Sequence, residues 1–309
     1  MTNRPSRTMG CALITGILIL LTACGTTGYR SPISKFQDAS SVVIASTRIY
    51  LTELNKVERD KYINEQVSRK AQIQLIQIEA VQVFSRDGLK ARLDALDQLS
   101  TYGDLLAKLA NNDAPERITV QAQGLGDALK NLSDTVNGLT GSENQNFKTA
   151  VDPVATLIGE VLNLIVQQKI KDALDKAIQA GDAPINRLLN VIRSDITVAY
   201  ERKRNALSEM RVILVDEYNR EAQKGDRSDP EKLRVFAERI RTHENHWELF
   251  ASANPGEALD AMAAAHTALV NYAKSPKKTI DVASLVDAME TFAARAQRIG
   301  KAIQELRNR

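Results

Sequence analysis

Two histidines on a predicted helix, His243 and His246, are the first candidate metal ligands in the sequence. The segment reads His243-Glu244-Asn245-His246, so the histidines are three positions apart. A zinc-protease signature needs a spacing of four, which places both rings on one helix face. His266 is the only other histidine, and no third ligand stands at a recognisable spacing. We therefore expect no metal site, and we interpret the pair as solvated side chains beside a buried Trp247.

A second candidate is the segment Ser275-Pro276-Lys277-Lys278. A lysine three residues after a serine is spaced to take the serine's proton and so create a nucleophile. The segment looks like a polar connection after an alanine-rich helix, and the partner motifs of penicillin-binding enzymes are absent. A hydrolase that uses Ser275 and Lys278 is therefore kept only as an alternative. The sequence also contains no nucleophile elbow, phosphate loop or dinucleotide fingerprint, so we expect no catalytic residues, cofactor or nucleotide ligand.

The basic cluster Arg202-Lys203-Arg204 is the remaining charged feature that could bind a ligand such as a lipid headgroup or a polyanion. It is interspersed with acidic residues of the same predicted helix, which favours an ion-paired solvated face. The whole chain of 309 residues has a formal net charge of only +3. This near-neutral balance gives no electrostatic footprint for nucleic acid, and we expect no nucleic-acid partner.

The first 24 residues have the layout of an export signal. Arg4 and Arg7 lie in a polar start without acidic residues, and an apolar run follows from Cys11 to Leu21. This run is too short to span a bilayer stably, which argues against a retained transmembrane helix. It ends in Leu21-Thr22-Ala23-Cys24, which resembles the lipobox of bacterial lipoproteins.

The resemblance implies that residues 1–23 are a cleaved signal peptide and that the Cys24 thiol receives diacylglycerol. Acylation of the new amino group would complete an effectively permanent anchor. Gly25 follows the cysteine, where an aspartate retains lipoproteins of enteric bacteria in the inner membrane. The resemblance thus implies an outer-membrane lipid anchor that faces the periplasm, with residues 24–32 as a short tether. Since Cys11 is removed and Cys24 carries lipid, no thiol is left for a disulfide or a metal site.

The chain after Pro32 has the pattern of helices, because apolar residues recur near a 3.5-residue spacing and no stretch alternates as a strand does. We predict an all-α fold over residues 33–309, an elongated bundle of long antiparallel helices with coiled-coil-like seams. N-cap residues, prolines at helix starts and glycines at helix ends set the boundaries. The predicted helices cover residues 33–84, with a break near 56–62, and 88–111, 115–138, 153–180, 183–223, 230–252, 255–274 and 280–307.

Two supersecondary units are predicted within this bundle. The connection Gly181-Asp182-Ala183-Pro184 makes an antiparallel hairpin of the helices 153–180 and 183–223. The segments 88–138 and 230–274 share a similar order of apolar, capping and proline residues. Shared amphipathic patterning is the favoured explanation of that similarity, and a duplicated helical hairpin is the alternative.

The segment from Val154 to Val166 is apolar on most sides of a helix, and Glu160 is its only charged residue. Such a helix is either a buried central helix or a membrane-contacting segment, and its length favours the buried one. In outline, long helices around one apolar segment resemble helical pore-forming toxins, but only at the level of architecture.

These features favour a non-enzymatic, lipid-anchored protein of the cell envelope with a structural or protein-interaction role. Its expected partners are the membrane, through the anchor at Cys24, and another protein or a second copy of the chain. A membrane-active helical protein and the serine–lysine hydrolase are the alternatives.

Overall fold

The structure, a computed structural model, describes residues 27–139, 147–150, 161, 163–165, 167 and 169–307. These residues are helical almost throughout and contain no strand, so the all-α prediction is confirmed. The signal peptide, Cys24 and the first residues of the tether lie outside the described residues. So does most of the segment Val154–Val166. Its described apolar residues Val161 and Ile165 are buried in the core, and Leu164 is half-buried against it.

The first helix, α1, spans Thr27–Arg69, so the prediction of a helix over 33–84 is wrong at both ends. Residues 27–32, expected to belong to the tether, are its first turns. Tyr29 and Ile33 have no exposed surface, and burying them outweighs the single backbone hydrogen bond that Pro32 removes. No break occurs at residues 56–62. The helix ends where Lys70 adopts a left-handed conformation, and the short exposed helix α2 follows over Leu75–Ala80.

Helices α3 (Arg86–Asn111) and α4 (Pro115–Gly138) lie within two residues of their predicted bounds. Ser85 begins α3, since its hydroxyl accepts a hydrogen bond from the Gly88 amide at 3.0 Å. The start of α4 differs in its chemistry. Its N-cap is Ala114, which has no side-chain cap, although the sequence suggests a capping role for Asp113.

The next helix, α5, runs without interruption over Ile170–Ala222, so the predicted hairpin at residues 181–184 is wrong. Gly181 does not end a helix but allows a close contact between helices. A Cβ atom at this position would lie 2.6 Å from the hydroxyl oxygen of Tyr102. That hydroxyl donates to the Ala177 carbonyl at 3.2 Å. Pro184 removes one hydrogen bond from a helix that the packing on both sides keeps continuous, and α5 is about 80 Å long.

The last three helices are α6 (Pro230–Ser252), α7 (Pro255–Lys274) and α8 (Thr279–Arg307), and their predicted bounds are confirmed to within one residue. Asp229 caps α6 by accepting from the amides of Glu231 and Lys232, and Asn254 caps α7 by accepting from the Gly256 amide. Gly225 has a positive φ of 57° in the 3-10 turn Gly225–Arg227 between α5 and α6.

Six of these helices, two of them only in part, form a bundle that we call the body, made of residues 27–55, 84–139, 170–200 and 253–307. In it α1 packs on α3, α7 and α8, α5 packs on α3 and α7, and α4 covers α3. Contacts between Gln37 and Asp104 and between Asn55 and the Phe84 carbonyl show that α1 and α3 are antiparallel. The ion pair of Lys35 with Glu290 joins α1 to α8. The buried Arg92 guanidinium holds α3 to α5 through Asp195, with Nε 2.6 Å from the carboxylate.

The rest of the described chain, residues 56–80 and 201–252, extends beyond the body, and we call it the distal arm. It contains the end of α1, α2, the second half of α5 and all of α6. Helix α6 packs on α5 and has few contacts with α7, whereas α3 and α4 pack on each other. The segments 88–138 and 230–274 therefore differ in arrangement, and a duplicated hairpin is not apparent in their packing.

Candidate interaction site

The predicted pair His243 and His246 lies in the distal arm, on the side of α6 that faces α5. The Nε2 atom of His243 is 2.9 Å from the Leu207 carbonyl oxygen, so this ring donates to the backbone of α5. Glu244 forms an ion pair with Arg211 at 2.8 Å. The motif thus fastens two helices to each other. Within the described parts of the chain, no group of three or more histidine, cysteine, aspartate or glutamate side chains is arranged to hold a metal ion.

Ser275 and Lys278 both belong to the turn that joins α7 to α8. The Ser275 hydroxyl donates to the Tyr272 carbonyl at 2.9 Å and accepts from the Lys277 amide at 3.1 Å. The Lys278 amide donates to the Asp281 carboxylate at 2.8 Å at the start of α8. The two side chains do not hydrogen-bond to each other, and the geometry of the turn gives Ser275 no activating base.

The cluster Arg202-Lys203-Arg204 stands where the distal arm leaves the body. Arg202 lies 3.8 Å from Glu58 of α1, and Arg204 pairs with Glu201, as an ion-paired face requires. Lys203 does not belong to such a solvated face. Its ammonium lies 6.0 Å from the centre of the Tyr50 ring, and burial lowers its pKa.

Four aromatic side chains join the distal arm to the body at the same level of the bundle. The rings of Tyr200 and Phe250 are stacked with centroids 4.6 Å apart, and Tyr50 and Trp247 lie 6.4 Å and 6.0 Å from Phe250. Stacked and tilted pairs of this kind add to the free energy gained from burying apolar area. This junction fixes where α6 begins to diverge from the body.

The α5–α6 hairpin is held closed at its tip by polar contacts. The buried Glu221 carboxylate accepts from the Lys224 ammonium at 2.6 Å and from the Asp229 amide at 2.9 Å. The hydrogen bond from Lys224 holds the pKa of Glu221 below its ordinary value. Farther down the hairpin, Arg239 reaches Glu217 across the two helices at 2.8 Å.

A groove runs between α5 and α6 below this tip, and we call it the distal groove. Its cavity volume is about 510 Å³. Its lining is mostly apolar, and its ionisable members are Glu238, Arg239 and the two histidines. Its lining residues are Leu207, Met210, Leu214, Val235, Glu238, Arg239, Thr242, His243 and His246.

Apolar side chains of the distal arm are exposed to an unusual degree, and two of them, Met210 and Val235, line the distal groove. Helix α6 has 23 residues, and Phe250 at the junction is its only buried one. Nine of the twelve large apolar side chains that are exposed in the described part of the chain lie in the distal arm. These nine are Val67, Ile73, Leu75, Ile76, Met210, Val212, Ile213, Val215 and Val235.

The exposed residues of α1, α2, α5 and α6 lie at the same end of the molecule. Lys61 of α1 is 3.5 Å from Glu209 of α5, so the last turns of α1 run beside the second half of α5. The sequence analysis missed this surface. The uncharged run Val212-Ile213-Leu214-Val215 is a signal for it, because four consecutive apolar residues cannot all lie on one buried face of a helix.

Among the helices that the structure describes, none is both long enough and apolar enough to cross a membrane. Comparisons of the chain with protein-family models, with curated proteins and with solved structures gave no match.

Proposed function

We propose that this chain is a non-enzymatic, lipid-anchored protein of the bacterial cell envelope that binds a partner protein through the distal groove. The observation that carries the proposal is the uneven distribution of exposed apolar side chains. The body encloses its apolar residues, whereas the distal arm leaves most of its own in contact with solvent. A large exposed apolar patch on an otherwise well-packed protein is typical of an interaction surface.

The shape of the distal groove fits an amphipathic helix of the partner. A third helix that lies between α5 and α6 would cover Met210 and Val235 from one side, in the way that neighbouring helices cover α5 in the body. Glu238 and Arg239, which also line the groove, are paired with Arg241 and Glu217 at its surface, and charged side chains of the guest helix would join these pairs and orient it.

The proposed location of the protein is the outer membrane, with Cys24 as the acylated residue. The support is the sequence Leu21-Thr22-Ala23-Cys24 together with the start of α1 at Thr27. Only Gly25 and Thr26 separate the proposed anchor from the first helical residue, a span of about 10 Å at most. The body would therefore be held directly against the bilayer, on the periplasmic side.

The arrangement of the two candidate catalytic motifs supports the non-enzymatic part of the proposal. His243 is hydrogen-bonded to a backbone carbonyl, and Ser275 is engaged with backbone groups on both sides. Each motif has a structural role in the element that contains it.

A photo-crosslinking experiment in the native host tests the partner site. A crosslinking amino acid at Met210, an exposed residue that lines the groove, should give a discrete product, and the Val235→Asp substitution in the same chain should abolish it. Val120, an exposed apolar residue of α4 in the body, is the matched control position, and a crosslinker there should give no product. Equal products from both positions, or a product that Val235→Asp leaves unchanged, would refute the site. A product with twice the mass of the chain would identify a second copy as the partner.

Mass spectrometry of the protein from its host tests the anchor separately. We expect a chain that begins at Cys24 and carries three acyl groups, and a Cys24→Ser variant that stays unprocessed. A chain that retains Met1, or an unmodified Cys24, would contradict the lipid anchor without affecting the crosslinking result.

A further inference from the structure

The turn between α7 and α8 is fastened to the first turn of α1. The Lys277 ammonium pairs with Asp175 of α5, and the same carboxylate accepts a hydrogen bond from the Tyr29 hydroxyl. The rings of Tyr29 and Tyr272 are in edge contact, with centroids 4.8 Å apart. Residues 27–30 and 274–280 therefore share one end of the body, and we call this surface the anchor-side face.

This face is basic. Residues 27–30, 175 and 272–282 carry four cationic side chains, namely Arg30, Lys274, Lys277 and Lys278, and two carboxylates, namely Asp175 and Asp281.

Both carboxylates are already engaged. Asp175 is held by Lys277 and Tyr29, and Asp281 accepts from the Lys278 amide. Lys274 and Lys278 are exposed, and among the described residues their ammonium groups contact no carboxylate. The first turns of α5 add Lys169, Asp172 and Lys176. The α3–α4 turn, which Arg30 contacts through the Ala110 carbonyl, adds Asp113, Glu116 and Arg117, so cationic side chains still outnumber carboxylates at this end by seven to five.

An apolar side chain projects from the same face. Ile280 is 71% exposed, the largest exposed fraction among the large apolar residues that the structure describes. It follows Lys278 by two positions at the start of α8. A solvent-exposed isoleucine next to a group of lysines is an arrangement by which a peripheral surface combines electrostatic attraction to headgroups with insertion of an apolar side chain.

We infer that the anchor-side face rests directly on the anionic surface of the membrane, with Lys274 and Lys278 at the phosphate headgroups and Ile280 at the acyl boundary. This inference rests on the lipid anchor proposed above, because Cys24 precedes the first helical residue by three positions and brings this face to the bilayer. The contact fixes the orientation of the molecule as well as its location. The body stands on its anchor-side end, and the distal groove points away from the membrane.

Vesicle binding by the chain without its lipid tests the contact. A chain that begins at Gly25 keeps every described residue and has no acyl group. We expect it to cosediment with phosphatidylcholine vesicles that contain phosphatidylglycerol, and not with phosphatidylcholine alone, and to dissociate as salt is added. Lys278→Gln should lower the partition coefficient about five-fold, and Lys274→Gln with Lys278→Gln about 30-fold, at roughly 1 kcal/mol for each lysine near the surface.

The matched control carries the same changes away from this face. Lys232→Gln with Lys301→Gln removes two exposed lysines, one from the distal arm and one from the far part of α8, and should leave the partition coefficient unchanged. Equal losses in both double variants would show that only net charge matters, and would overturn the inference. So would the absence of binding to phosphatidylglycerol at low salt.

Fluorescence quenching by brominated lipids tests the orientation in the acylated protein. Trp247, the only tryptophan, lies at the junction about 30 Å along α1 from Tyr29, and its emission should not be quenched. Ile280→Trp should add an emission component that the brominated lipid quenches, whereas Val212→Trp in the distal arm should add one that it does not. Quenching of Trp247 or of a tryptophan at position 212 would overturn the upright orientation. Since the vesicle assay uses a chain without lipid and mass spectrometry measures acylation directly, failure of this inference is distinguishable from failure of the anchor.

Discussion

His266 is an ionisable side chain at the centre of the body, with no exposed surface. Its Nε2 atom lies 2.9 Å from the Tyr102 hydroxyl, which itself donates to the Ala177 carbonyl. A hydroxyl group has one proton to give, so the proton between the two rings belongs to Nε2. The Nδ1 atom has no hydrogen-bond partner within the described part of the chain. The neutral imidazole is therefore the form that this site accommodates.

Burial lowers the pKa of His266 to about 4, with a smaller opposing effect from Asp182. In the unfolded chain an ordinary histidine titrates near pH 6.5, so between these two values the unfolded state binds more protons than the folded state. The stability that depends on neutral His266 is thus fully present above about pH 6.5, and it is lost as the pH falls toward 4. From pH 7 to pH 5 the loss from this residue is about 2 kcal/mol.

His266→Gln keeps a polar group near Tyr102 but cannot be protonated in this range. From pH 7 to pH 5 the free energy of unfolding, measured by urea denaturation, should fall by about 2 kcal/mol less in this variant than in the wild type. An equal pH dependence in His266→Gln and the wild type would show that His266 is not the group responsible.

Gly181 is required by the contact of α5 with Tyr102. We expect Gly181→Ala to destabilise the protein by about 1–3 kcal/mol, because the new methyl group overlaps the Tyr102 hydroxyl. Gly124 is also inside a helix but has open space around it, and Gly124→Ala should stabilise by about 0.5–1 kcal/mol. Thermal or urea unfolding measures both. The cost of Gly181→Ala should shrink in a Tyr102→Phe background, and an unchanged cost there would contradict the steric explanation.

At the scale of the elements, the helix starts were predictable where local capping residues determine them. Asp229 and Asn254 cap α6 and α7 through amides two or three residues away, and both starts were placed correctly. The start of α1 and the continuity of α5 depend on contacts that are distant in sequence. Tyr29 is buried through Asp175 and Tyr272, and the role of Gly181 depends on Tyr102. A local sequence pattern does not indicate contacts between residues that are so far apart in the chain.

The candidate site was predictable only in part for the same reason. Its two histidines were placed on the correct helix, but whether Met210 and Val235 are exposed depends on how few helices surround the distal arm. Apolar spacing along α5 is the same in the body and in the arm. In the structure only α6 and the last turns of α1 lie beside the second half of α5, and one side of that stripe is left uncovered.

The α5–α6 hairpin has few buried residues, so it should be less stable than the helices of the body. We expect hydrogen exchange in residues 205–245 to be faster than in α3 and α7. Asp229→Ala removes the cap of α6 and should cost the hairpin about 1 kcal/mol, which is about five-fold faster exchange in that segment alone. Asn254→Ala is the matched change at α7, in the body. A uniform change across the protein after Asp229→Ala would show that arm and body unfold together.

At the scale of the whole molecule, the length of α5 determines the shape in solution. A helix of 53 residues is about 80 Å long, and α1 runs beside it over much of that length. A compact chain of this size would have a radius of gyration of about 19 Å. Small-angle scattering from the chain that begins at Gly25 should therefore give a larger radius of gyration and a maximum dimension of at least about 80 Å.

A concentration series in the same experiment distinguishes a monomer with an open groove from a self-associated form. If the distal groove serves a different protein, the maximum dimension stays constant as the concentration rises. If two copies pair through their arms, the forward scattering doubles, and Val235→Asp, which places a charge in the groove, restores the monomer value. A maximum dimension near 50 Å at every concentration would mean that the distal arm folds back on the body, and the groove would then already be covered.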